Sequence, residues 1–314
     1  MNVRNLTPVE LERKLADGGI YIKTGPFVCH IQSTLPHVVH GIATAYADYS
    51  LVEQDYADFH VNLASPWLRR WFYPQVQFRS DLKIPFLPLP VEQAYALFEW
   101  GMNWCVSQHA NQYLILHAAV LEKNGRALIL PGHSGAGKST LCAGLVYGGG
   151  WRLLSDELTL IRPGDGLIQP LPRPVSLKNR SIEVIQALVP ELVFTPVVRD
   201  TQKGSVAHAK PPEESIQQQA CCVPAAWVVF PNYCADKPIN AEPIAPAQVV
   251  LKLAEQAFNY SLHGKQGFDA LADLVGRATA YHFEYSQLVE AIGFFDELAN
   301  AEPVQIPPLT ERLP

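Results

Sequence analysis

The octapeptide Gly132-His-Ser-Gly-Ala-Gly-Lys-Ser139 limits what this chain can become more than any other stretch. It fits the phosphate-loop pattern G-x-x-x-x-G-K-[ST], in which each fixed position meets a physical demand. Gly132, Gly135 and Gly137 let the backbone curl until successive N–H groups point inward at an anion. Lys138 can set a cation between β- and γ-phosphates, and the Ser139 hydroxyl is placed to ligate Mg2+. His133, Ser134, Ala136 and Thr140 complete the cradle, with the His133 side chain in a variable position at its edge. Upstream, Arg126-Ala-Leu-Ile-Leu-Pro131 reads as a short buried strand. Downstream, Leu141 and Leu145 fall on one helical face. Strand, glycine loop and helix thus occur in the order that puts a helix N-terminus under the anion.

A chain of 314 residues holds one large domain or two smaller ones. With 48% apolar and 17% charged residues, a substantial core is expected. A net charge of −6 gives no electrostatic reason to expect nucleic acid. There is no run of eighteen apolar residues and no apolar segment of a signal peptide near Met1, so no membrane partner is expected. The six cysteines form no C-x-x-C pair, which favours reduced thiols in a cytoplasmic protein.

Residues 1–88 read as a small α+β domain and residues 89–314 as a larger one. Thr7, Pro8 and Glu10 carry the signature of a helix start. Segments 21–24, 27–32 and 59–63 read as strands, and the proline-studded stretch 85–90 marks the boundary. Segment 91–109 predicts a helix with Ala94, Leu97, Phe98, Met102, Cys105 and Val106 as its apolar stripe. Two strands, 114–121 and 126–130, flank Asn124-Gly125, a strong hairpin signal, so a hairpin feeds straight into the glycine loop. Gly148-Gly149-Gly150 ends the loop's helix, and 151–161 reads as strand, acidic pair, strand. Proline and charge make 163–212 a region of long loops; 226–230 is a further strand, and 247–260 and 285–300 are amphipathic helices.

Asp156 follows Lys138 by only eighteen residues. With so short a helix between them, the next strand is expected beside the loop's own strand, its C-terminal end on the same edge. Asp156 then meets the γ-phosphate, as a Mg2+ ligand or as acceptor of a proton from an attacking hydroxyl. Glu157 is the second carboxylate. His117 shares a sheet face with Ile115 and Ala119, where a histidine is more often core than catalyst. Arg173, Lys178 and Arg180 either screen phosphate charge or form a solvated basic loop. The segment from Asp200 to His208, with Lys203 and Gly204, reads from composition as a surface loop.

The run Leu116-His117-Ala118-Ala119, the hairpin, the loop to Thr140, and Gly150-Trp-Arg-Leu-Leu-Ser-Asp156-Glu157 resemble the catalytic core of HPr kinase/phosphorylase. The resemblance is closer to the bacterial HPr-kinase-related kinases, whose core is related in fold to phosphoenolpyruvate carboxykinase. It implies an α/β P-loop kinase core with a mixed sheet, while the first 88 residues do not resemble the regulatory domain of the HPr enzymes. It further implies an ATP-dependent kinase using ATP and Mg2+, and allows a homo-oligomer. Asp156 takes the position of the acid/base for a hydroxyl acceptor, and His117 that of the family histidine. Lys203 to His208 matches a substrate or phosphate clamp. The sequence departs from the HPr enzymes at Ala118 and Glu157, and Pro172-Arg173-Pro174 stands where they carry Glu-Ile-Arg-Gly-Leu-Gly. The acceptor is accordingly left as a hydroxyl on a peptide, a protein or a small molecule. A nucleotide-dependent switch that transfers nothing is the alternative.

Overall fold

The computed structural model describes residues 1–53, 56–69, 73–133 and 135–301. The chain forms two compact units, each built from two separate segments. One comprises Met1–His109 with Arg173–Gln217, the other Ala110–Pro172 with the chain from Gln218 onward.

The first unit holds a five-stranded sheet in the order Ile20–Thr24, Phe27–Ser33, Phe59–Ala64, Gln75–Ser80, Leu89–Pro90. Its one parallel pairing, Phe27–Ser33 with Phe59–Ala64, needs a crossover, and helix Pro36–Ala45 lies within it. Strict alternation buries Phe27, Cys29, Ile31 and Ser33 on one face. Helix Pro8–Asp17 starts at the expected capping box. Thr7 Oγ1 accepts from the Glu10 N–H, and the Glu10 carboxylate accepts from the Thr7 N–H at 2.8 Å.

The units divide differently from the expected 1–88 and 89–314. The proline stretch folds back, so that Leu89–Pro90 pairs with Gln75–Val76 instead of leaving the sheet. Helix Ala94–His109 then stays with the first unit, its expected apolar stripe buried. At Gly101 it runs so close to that sheet that an added Cβ would lie 2.0 Å from the Phe78 ring. The region 163–212 also differs from its expectation. It contains helix Arg180–Leu188 and a three-stranded sheet in the order Val175–Lys178, Gly204–Ala209, Val198–Thr201. The strand Val198–Thr201 is an edge, and its exposed Arg199 and Asp200 hide the alternation that would have announced it.

The second unit is built on a mixed sheet, and the chain as a whole is mixed α/β. The strand order is Ile168–Gln169, Leu158–Ile161, Leu114–Lys123, Arg126–Pro131, Ala225–Tyr233, Thr279–Tyr285, Asn240–Pro243. Arg152–Ser155 also pairs with Leu114–Lys123. The hairpin turns where expected, with Asn124 and Gly125 both at positive φ, as a type I′ turn requires. Arg126–Pro131 runs parallel to Ala225–Tyr233, which runs parallel to Thr279–Tyr285. One face buries Leu116, Ala118, Val120 and Ile129 against Val249, Leu253, Leu271 and Leu274 of helices Pro246–Glu255 and Lys265–Arg277. By alternation His117 and Ala119 lie on the other face.

Candidate functional site

The strand Arg126–Pro131 is buried to its last residue, and the chain leaves it through a tight loop. Gly132, Gly135 and Gly137 have φ of 147°, 91° and 89°, a region closed to ordinary side chains. Helix Lys138–Ala143 begins directly after Gly137 and continues as a π-helical turn, Gly144–Gly148. Ser139 and Thr140 sit half-buried on the first turn, and His133 is exposed at the loop's edge. Ser134 lies outside the described residues.

Two residues that sequence reasoning missed hold the loop from outside. Tyr285 Oη donates to the Gly137 carbonyl at 3.2 Å, and the Tyr233 N–H donates to the Ala136 carbonyl at 3.4 Å. They face each other in register at the ends of two parallel strands. The signal that could have found them is positional, because C-terminal ends of parallel strands converge on the ligand edge of such sheets. Burial, then the neighbouring Tyr233, pushes the Tyr285 phenol above its ordinary range and keeps it a donor. A Cβ on Gly137 would lie 2.7 Å from Tyr285 Oη. Gly137→Ala should therefore cost about 1–2 kcal/mol of stability through its backbone alone. The distorted loop should bind a fluorescent ATP analogue about tenfold more weakly, the equivalent of 1.4 kcal/mol. Unchanged affinity in that titration would show that the loop shape is not required.

Lys138 is only 7% exposed. Its Nζ donates to the Gly132 and His133 carbonyls at 2.5 and 2.9 Å, so the ammonium spans the loop's own mouth. Anionic oxygens are stronger acceptors than neutral carbonyls and can replace them there.

The strand leading to Asp156 is not beside the loop strand, as the short helix suggested. Arg152–Ser155 pairs with Leu114–Lys123, which stands between. The reason is the hairpin: its first strand already occupies that side of Arg126–Pro131. The polarity is nonetheless as expected, since both outer strands run antiparallel to the middle one. Val120 pairs with Ser155 and with Ile129, and His117 pairs with Leu158. Asp156 and Glu157 therefore fall across from Ala119 and Ala118, whose other partners are Leu130 and Pro131. Two strand spacings, about 10 Å, separate the carboxylate pair from the start of the loop.

Asp156 is buried at 5% exposure and Glu157 is half-buried. Burial, and then the Asp156 charge, raises the Cys142 thiol well above its ordinary range, which makes it inert and marks Asp156 as close to the loop's helix. His117 is half-buried one rung further along, its backbone N–H donating to the Gln256 carbonyl at 2.7 Å and its ring 5.9 Å from that of Phe258. The loop, His117, Asp156 and Glu157 thus share one edge of one sheet.

The remaining expected residues, Arg173, Lys178, Arg180, Lys203 and His208, all belong to the first unit. Two of them are corrected. Arg173 is buried and committed: Glu99 Oε2 accepts from it at 2.5 Å, Asn103 Oδ1 at 2.6 Å and the Glu99 carbonyl at 3.0 Å. It is a structural ion pair, with no donor turned to a phosphate. His208 is buried in the strand Gly204–Ala209, its ring edge-on to Tyr95 at 5.3 Å, so it is core and not part of a clamp. The other three converge. Asn179 donates to the Lys203 carbonyl and accepts from the Ser205 N–H, pinning the turn at 203–205 against the turn between Lys178 and Arg180. Lys203 and Arg180 are exposed and Lys178 half-buried, on turns joined by Asn179, a residue the sequence did not single out, and the Lys203 ammonium lies 5.7 Å from the Trp100 ring centroid.

A cavity of about 760 Å3 also opens in the first unit, lined among others by His37, His40, Glu92, Tyr95 and Arg199. None of the expected site residues lines it. Among the described residues no group of three or more His, Cys, Asp and Glu could hold a metal ion. The hard oxygens of Ser139, Asp156 and Glu157 nonetheless suit Mg2+, which takes one or two protein ligands and completes its shell with phosphate and water.

A family described as SynChlorMet cassette protein ScmC matches residues 98–182. The match covers less than a third of the chain, but it contains the hairpin, the glycine loop, Asp156 with Glu157, and the turn at 178–180. No curated protein matches the sequence significantly.

Proposed function

We propose that the protein is an ATP-dependent phosphotransferase of the kind the HPr-kinase-related kinases represent. The observation that carries this reading is the placement of a buried carboxylate, Asp156, two strands from a glycine loop and level with its start. In this reading the loop N–H groups and Lys138 hold the β- and γ-phosphates of ATP. Ser139 and one carboxylate of the Asp156-Glu157 pair would hold Mg2+, which neutralises phosphate charge when bound. Asp156 accepts the proton of the acceptor hydroxyl as its oxygen bonds to the γ-phosphorus and the bond to the departing ADP breaks. His117, on the rung beside this pair, orients the acceptor or the phosphate. Lys178, Arg180 and Lys203, on turns joined by Asn179, would offer cations to an anionic group.

Incubation with γ-labelled ATP and a cell lysate, followed by separation of proteins from metabolites, tests the reading. Label in either fraction, lost when Lys138 is replaced by Ala, is the expected result. Saturable ATP binding with no labelled acceptor would replace the kinase with a nucleotide-dependent switch.

A further inference from the structure

Beyond nucleotide chemistry, an edge of the first unit's sheet carries side chains that a protein alone in water has no reason to display. Leu82 is 100% exposed, Leu87 85%, Tyr73 84%, and Trp67 and Leu68 each 79%. Ile84 is half exposed beside them in sequence. Single exposed apolar residues are ordinary, but six between residues 67 and 87, flanking the outer strands of one sheet, are not. Their alignment follows from register. Among the described residues, Gln75–Ser80 pairs on its outer side only with the two-residue strand Leu89–Pro90 and with Lys83, opposite Ser80. Continuing the pairing of Val76 with Leu89 sets Leu87 level with Phe78. Tyr73 precedes the strand, Leu82 follows it, and Trp67 and Leu68 lie in the connection that leads into it. The stripe is about 20 Å long at the rise of an extended chain.

We propose that this edge docks on an anionic lipid surface. Three features select that occupant. The side chains protrude almost fully, as groups that insert among acyl chains do, instead of lining a recess that would receive another protein's anchor. They combine Trp and Tyr with Leu, the composition of the bilayer interface. And the described residues of 65–90 carry three cations, Arg69, Arg79 and Lys83, against one carboxylate, Asp81, in a chain whose net charge is −6. The exposed Arg79 and Lys83 also oppose pairing of this edge with a second copy of itself. No helix among the described residues is long and apolar enough to cross a membrane, and a peripheral contact needs none.

Co-sedimentation of the full chain with vesicles tests the proposal. With phosphatidylcholine containing about a third phosphatidylserine the protein should pellet, with pure phosphatidylcholine it should not, and high salt should release it. Trp67→Ala/Leu68→Ala and Leu82→Ala should each weaken binding severalfold, and Arg69→Glu/Lys83→Glu by well over tenfold, at about fivefold per cation removed. All five positions are exposed, so thermal unfolding of the variants should match the parent. Failure to pellet with anionic vesicles, or binding that none of these changes weakens, overturns the proposal. So does a concentration-dependent dimer, seen by light scattering without vesicle binding, that the same substitutions abolish; the edge would then be an interface between copies.

Discussion

Asp156→Asn should lower phosphoryl transfer by about 10²–10⁴-fold, the usual contribution of a positioned general base. Binding of ATP alone should stay within about threefold, a shift of less than 1 kcal/mol. The separation follows from where the residue sits. Asp156 is buried at the end of a strand two places from the loop strand, outside the curl of Gly132, Gly135 and Gly137. An amide of equal size leaves the sheet and the loop in place and removes only the negative charge and its capacity for a proton. Measuring ATP affinity with and without Mg2+ separates two roles for that charge. If Asp156 is the base, Mg2+ strengthens ATP binding equally in both proteins. If it is chiefly a metal ligand, the Mg2+ dependence shrinks in the variant. Full turnover by Asp156→Asn would remove the residue from the chemistry, and Glu157 would be the carboxylate to replace next.

What the sequence showed of this site, and what it hid, divides along one physical line. Local chemistry was legible. The glycine loop, the Asn124-Gly125 turn and the Thr7 capping box each depend on a few adjacent residues whose backbone needs are strong and specific. Pairing partners were not. The sequence placed the Asp156 strand next to the loop strand because it could not see that the hairpin filled that position. Tyr233 and Tyr285 buttress Gly137 from strands about a hundred and a hundred and fifty residues further on, and nothing near them in the chain announces it. Averages do not report local patches. A net charge of −6 and the absence of a long apolar run describe the chain as a whole, while residues 65–90 are locally basic and apolar. Basic residues were the hardest to read, because a cation serves equally as a ligand for phosphate or as half of a buried pair.

Arg173 decides between those two uses, and Arg173→Leu should destabilise the first unit by about 3–5 kcal/mol. The guanidinium and the Glu99 carboxylate are 7% and 4% exposed, and Tyr95 Oη donates to the other carboxylate oxygen at 2.8 Å. Burial by itself would pull the guanidinium down, but Tyr46 and Glu99 outweigh it and hold the group above its ordinary range. Removing the cation therefore strands a buried carboxylate, which is a larger loss than the pair's own net worth. Burial, followed by the Glu99 charge, raises the phenols of Tyr46 and Tyr95, so both stay neutral and neither can replace the lost cation. The double variant Arg173→Leu/Glu99→Leu removes both ions and should recover a large part of the loss, since a well-packed apolar replacement is often close to neutral. Denaturant unfolding of the single and double variants reads this directly. A phosphate-binding Arg173 would give the opposite pattern. Unfolding would be unchanged in the single variant and turnover would fall, with no recovery from the second substitution. The four donors already spent on Glu99, Asn103 and Tyr46 favour the first result.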